Sequence, residues 1–248
     1  MGKLDSRIAV VTGAASGLGK AIALLFAREG ANIAIIDLKA EEAEAVVRGA
    51  RDLGRRGLAL VADVSDEAQV QQAMDYIFRE LGEPDILVNN AGIDTTSIVE
   101  EMPTAMWDEM IRINLKSVFL CTRAVLPSMR RKGYGRIVNI SSQLAHKGGA
   151  QMAHYAAAKA GILGFTRSLS YEVAKDNITV NAICPGPLDT ELYQQLPEDW
   201  KRRKMSELIV GRPGRVDEVA PTALLLASED GGFYVGATLN PNGGDIMV

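Results

Sequence analysis

The 248-residue chain reads as an α/β protein built on a doubly wound, mostly parallel seven-stranded sheet with helices on both faces. Three observations carry that reading. β-Branched apolar runs at 8–11, 33–36, 59–61, 86–88, 137–140 and 179–183 alternate with longer segments of helical period, and a last strand is expected near 238–239. The runs are continuously apolar, as strands covered on both faces should be. The first run passes directly into a glycine-rich loop and then a helix, the opening of a strand–helix–strand unit.

Composition narrows the function classes. Apolar residues make up 47% and charged residues 23%, the mix of an ordinary globule, and no linker divides the expected single domain 1–248. No apolar run is long enough to cross a bilayer, and the N-terminal segment leads into the glycine loop instead of a cleavage site. Cys121 and Cys184 sit far apart in apolar segments, which predicts buried thiols in a reducing cytoplasm and gives no support to a disulfide framework or a zinc site. A net charge of −4 offers no general attraction for nucleic acid. The basic runs 130–132 and 201–204 are either patches that attract a phosphorylated carrier or solvated helix faces. Segment 186–211 breaks the rhythm with Pro187, Pro197 and no strand; it reads as a substrate lid, with a peripheral helical hairpin as the alternative.

Taken in order, the first strand ends in a loop containing Gly13, Ser16, Gly17, Leu18 and Gly19. Glycines let the backbone turn and approach a pyrophosphate, while the amides and positive dipole end of the following helix face the anion. Asp37 closes the second strand, where a carboxylate accepts hydrogen bonds from ribose hydroxyls and repels the extra phosphate of NADP, so NAD is expected over NADP. Two features complicate this: Asp37 is also a candidate cap for the next helix, and Lys39 offers a nearby cation. Ser142 follows the fifth strand, and carboxyl ends of strands are where such sheets bind ligands. Tyr155 and Lys159 open a long helix four residues apart, hence on one face. A neighbouring ammonium would lower the phenol's pKa and suit Tyr155 to acid–base work. The same spacing also arises from an aromatic packed inward beside a snorkelling lysine.

These residues, with Asp63-Val64, Asn89 to Gly92, Asn114 and Pro185-Gly186 in the same order, resemble the short-chain dehydrogenase/reductase family along essentially the whole chain. The resemblance implies a Rossmann-type fold and a nicotinamide cofactor. It implies that Asp63 contacts the adenine and Val64 lines its pocket, that Asn90, Ala91 and Gly92 support the sheet beside the cofactor, and that Pro185, Gly186 and Thr190 meet the nicotinamide. It also implies that Asn114 interrupts a helix and holds a water linking Lys159 to solvent, although a buried helical asparagine is alternatively a satisfied core group. A homotetramer is implied, with the Tyr155 helix and segment 236–248 near the interfaces.

The expected chemistry is hydride transfer at a carbinol carbon, with Tyr155 as general acid/base and Ser142 polarising the oxygen, so that no metal is needed. Substrate contacts are expected from Ser142, Gln143 and Tyr155, with Asp94, Ala145, His146, Gln151 and segment 188–196 as further candidates. The first expectation is an NAD-linked dehydrogenase of a secondary alcohol or polyol. The alternative is a reductase of 3-oxoacyl thioesters on acyl carrier or CoA, a class that commonly uses NADPH. A third reading is a nucleotide-binding scaffold without turnover, which the intact Asn114, Ser142, Tyr155 and Lys159 oppose.

Overall fold

The computed structural model describes residues 2–248. Strands β1 (Ile8–Thr12), β2 (Asn32–Asp37), β3 (Gly57–Val61), β4 (Ile86–Asn89), β5 (Gly135–Ile140), β6 (Ile178–Ile183) and β7 (Thr238–Leu239) form one sheet in the order β3-β2-β1-β4-β5-β6-β7. Every adjacent pair is parallel. The helices are α1 (Gly17–Arg28), α2 (Ala40–Asp52), α3 (Glu67–Glu80), α4 (Thr104–Ile111), α5 (Ser117–Lys132), α6 (Leu144–Lys147), α7 (Ala153–Val173), α8 (Glu191–Gln194), α9 (Glu198–Glu207) and α10 (Val216–Ala227).

Side chains alternate across a strand, and here both sets are buried. Ala9, Val11, Ile33 and Ile35 pack against Ile22 and Phe26 of α1, Val46 and Val47 of α2, and Leu226 of α10. Val10, Ala34, Ile36 and Leu87 pack instead against Met74 and Ile77 of α3, Val125 and Met129 of α5, and Leu169 and Val173 of α7. With both faces covered by helices, the strands are mostly apolar, and polar residues such as Asn89 and Asn139 are buried only where hydrogen bonds satisfy them.

The chain leaves β1 toward β2 on one side and reaches β4 on the other, so the strand order reverses beside β1. The two flanking connections diverge there and open a crevice above the carboxyl ends of the strands. Beneath it runs a buried polar ladder: Asn89 Nδ2 donates to Asn139 Oδ1 at 2.8 Å and to Thr122 Oγ1 at 3.1 Å, and Asn139 Nδ2 donates to Thr166 Oγ1 at 2.9 Å. Asn89 and Asn139 are paired across β4 and β5, so these bonds fasten α5 and α7 to the sheet below the crevice. Segment 186–211 contains α8 and α9, and Tyr193, Leu196 and Trp200 form a small apolar cluster of their own there.

Candidate active site

A cleft of about 600 Å³ occupies the crevice, and every residue expected to contact a nucleotide lines it except Gly19. Gly19 lies beneath the loop: a Cβ there would stand 2.4 Å from Gly13 O and 2.5 Å from Asn90 Nδ2. Only glycine fits in that close packing, and Gly19 alone of the expected set is outside the cleft lining. Gly13 has a positive φ of 62°, and a Cβ on it would come within 2.7 Å of Ala91 Cα. Thr12 Oγ1 accepts from the Asn90 and Ala91 amides at 3.1 Å each, so the loops after β1 and β4 are joined.

Gly17 begins α1 with no acidic residue in the first turn, and the Ser16 side chain makes no capping bond. The free amides and dipole of that helix end therefore face the cleft, as an anionic pyrophosphate requires. Asp37 accepts from Ala15 N at 2.9 Å and Lys39 N at 3.0 Å, while the cap position of α2 belongs to Lys39. The carboxylate is thus held at the glycine loop and does not cap the helix. Lys39 Nζ is committed to Glu191 at 3.2 Å. Burial alone would raise the Asp63 pKa, but hydrogen bonds from Ser65 and Arg112 hold it below its usual value; the Arg112 Nη1 contact is 3.0 Å. These glycines without room for a Cβ, and carboxylates fixed at the far end, fit a dinucleotide.

At the other end α7 presents Tyr155 and Lys159 one turn apart, with Lys159 Nζ 5.6 Å from the Tyr155 ring centroid. Lys159 is only 4% exposed and donates to Ile140 O at 2.9 Å. Asn114 lies in a single π-helical turn, Arg112–Lys116, between α4 and α5, the interruption the resemblance implied. Its Oδ1 accepts from Ile93 N and its Nδ2 donates to Ile93 O, both at 2.9 Å. A Cβ on Gly92 would stand 2.4 Å from Asn114 Oδ1 and 3.6 Å from Lys159 Nζ, so both polar groups converge on this glycine. Ser142 Oγ accepts from Leu144 N at 3.1 Å and donates to Gln143 Oε1 at 2.8 Å.

Burial pushes Lys159 down to about 8, against the pull of Asp94. Tyr155 behaves otherwise than the spacing suggested. Burial raises its pKa, the Asp94 carboxylate adds to the rise, and the Ser142 hydroxyl opposes both. Lys159 does not bring the phenol down because removing the pair from water penalises each charged form first.

Gln143 and Asp94 line the cleft, whereas Ala145, His146 and Gln151 do not. The short α6 carries Ala145 and His146 away from the opening, and the Gln151 carbonyl is used by Ser97 N at 3.0 Å. His154 is fully buried, with Nε2 2.8 Å from Thr95 Oγ1, and packs instead of capping α7. The basic runs are largely paired: Arg130 with Asp176, Arg131 with Glu83, Lys132 with Asp85, Lys201 with Glu198 and Arg202 with Asp199. Tyr193 and Leu196 of the candidate segment 188–196 and Trp200 of the expected lid line the cleft, and so do Arg112, Leu144 and Met152, which were not singled out from sequence. No motif marks them, because apolar and loop positions become a wall only when the chain folds.

No helix among the described residues is long and apolar enough to cross a membrane. The short chain dehydrogenase family model matches residues 7–201. The chain is 41% identical over 241 residues to the BbsD subunit of (2S)-((R)-hydroxy(phenyl)methyl)succinyl-CoA dehydrogenase of Thauera aromatica, covering 97% of each chain. It is 37% identical over 245 residues to the 3-oxoacyl-(acyl-carrier-protein) reductase FabG of Thermotoga maritima, covering 99% of this chain and 100% of that one. With the FabG of Pseudomonas aeruginosa the identity is 39%, over 98% and 99% of the two chains. Cleft, topology and these similarities together make the chain a member of the short-chain dehydrogenase/reductase family, an oxidoreductase that works with a nucleotide cofactor.

Proposed function

We propose that this enzyme interconverts a 3-hydroxyacyl thioester and its 3-oxo form with NAD(H). The carrying observation is the convergence of Ser142, Tyr155, Lys159 and Asn114 at one end of a cleft whose other end holds Asp37, in a chain alike along its whole length to proteins named for acyl-thioester substrates. The thioester reading thereby moves ahead of the simple secondary alcohol. NAD is favoured because Asp37 would face an added 2′-phosphate while Lys39, two residues on, is paired with Glu191.

A nicotinamide cofactor held by the glycine loop and Asp37 would supply or take up the hydride. Tyr155 holds the proton at the substrate oxygen, donating it in reduction and removing it in oxidation, and the Ser142 hydroxyl donates to the same oxygen. For that, Ser142 must release Gln143 Oε1, so Gln143 turns when substrate enters. Lys159 resupplies the proton from the side of Asn114. Segment 186–211 closes over the substrate through Tyr193, Leu196 and Trp200. The buried free thiols Cys121 and Cys184 suit a reducing cytoplasm.

Oxidation of NADH and NADPH with 3-oxoacyl-CoA and 3-oxoacyl carrier protein tests the reading. Thioester turnover with a preference of about ten-fold or more for NADH is expected, the size of one well-placed charge at 1.4 kcal/mol. Turnover of plain ketones alone, or an NADPH preference, would overturn it.

A further inference from the structure

We propose that Asp94 forms a substrate subsite, its carboxylate accepting a hydrogen bond from a neutral hydroxyl on the carbon beside the reacting one. It rests on the hydride-transfer reading of the cleft and not on the thioester assignment.

The backbone around Asp94 is held on both sides by the catalytic elements. Ile93 is bonded through both its N and its O to Asn114 at 2.9 Å, Thr95 Oγ1 lies 2.8 Å from His154 Nε2, and Ser97 N donates to Gln151 O at 3.0 Å. Asp94 stands between these anchors and lines the cleft with Ser142 and Tyr155. Its Oδ1 is buried without a hydrogen-bond partner among the described residues. A buried carboxylate oxygen in that position needs a donor, and an incoming substrate supplies one.

The chemistry of the donor follows from the surroundings. A carboxylate or phosphate on the substrate would be repelled by Asp94. An ammonium would meet the charge of Lys159, whose field reaches Asp94. A neutral hydroxyl meets neither objection. Asp94 lines the cleft together with Ser142, Tyr155 and Lys159 and acts electrostatically on Tyr155 and Lys159, so a hydroxyl on the carbon adjoining the reacting one is the donor an acceptor there would meet. Leu144, Met152, Leu188, Leu196 and Trp200 make most of the remaining substrate wall apolar, so an acceptor here discriminates.

The test compares acetoin with butanone, and the γ-hydroxy derivative of acetoacetyl-CoA with acetoacetyl-CoA itself. Turnover and calorimetric binding to the enzyme–NADH complex are measured for wild type, Asp94→Asn and Asp94→Leu. The wild type should favour the hydroxylated member of each pair by about ten-fold or more, and Asp94→Leu should bring the ratio close to one. Asp94→Asn keeps the shape and guards against a folding defect; a smaller ratio than wild type is expected. Equal handling of both members by the wild type, or a ratio untouched by either variant, overturns the subsite. A binding preference without turnover of either member sinks the redox reading on which the subsite rests, and overturns it on that separate ground. An Asp94 that only tuned the charge of its neighbours would shift the pH profile for both members alike and leave their ratio unchanged, which also counts against the proposal.

Discussion

At the scale of single residues the site depends on where polar atoms lie relative to water. Tyr155→Phe removes the proton carrier while keeping the ring, so kcat should fall by about two orders of magnitude or more with NADH affinity, followed by fluorescence, little changed. Retained turnover would remove Tyr155 from the mechanism. Lys159 carries its proton below about pH 8 and loses it above. Ketone reduction, which consumes that proton, should therefore decline as pH rises through about 8, while alcohol oxidation rises. Lys159→Arg, charged throughout, should flatten the break in a paired kcat–pH profile. The types and spacing of Tyr155, Lys159 and Ser142 were readable from sequence because each follows a strand end or opens a helix. Their proton affinities were not, because burial is set by residues distant in the chain.

Among the elements, segment 186–211 is tied down by an ion-pair cluster rather than by apolar packing alone. Asp245 has a side chain with 0% exposure and meets Lys147 at the end of α6 at 2.8 Å and Lys204 of α9; Glu207 joins the same lysines at 3.0 and 3.2 Å. Burial raises the Asp245 carboxyl, but the two lysines outweigh it and hold its pKa below the usual value. The cluster's contribution is thus present above the unfolded carboxylate pKa and is lost as pH falls through the lower folded value. Asp245→Asn leaves two lysines short of a charge and should cost about 3 kcal/mol locally, the scale of a broken buried pair. Hydrogen exchange should then quicken across 198–207 and KM rise, and unchanged protection would refute the coupling. Beneath the site, Asn139→Leu strands Asn89 and Thr166 and should lower stability by about 1–3 kcal/mol in a denaturant titration.

For the whole molecule, the apolar surface near the C-terminus bears on assembly. Phe233, Tyr234, Val235, Met247 and Val248 are all exposed, and Asn181 bonds to Tyr234 O and Ala237 N to hold that stretch against β6. Contiguous exposed apolar groups such as 233–235 suit an interface. Light scattering should give the mass of a tetramer for the wild type and a smaller species for Phe233→Asp; a monomeric wild type would leave this surface unexplained.

The alternation of apolar strands and helices, the glycine loop and the Tyr155-Lys159 pair were local signals, and local signals follow from chain geometry: period two, period 3.6 and the steric freedom of glycine. The sequence alone therefore determined the layered sheet and the kind of chemistry at its carboxyl edge. The tertiary structure decided what depends on neighbours far apart in the chain. It withdrew Asp37 from the helix cap, engaged Lys39 with Glu191, set the pKa of Lys159 and brought Asp94 into the cleft that Tyr155 lines, with a buried oxygen that no described residue partners. Exposure, desolvation and pairing are properties of position in space, and no spacing along a chain encodes them directly.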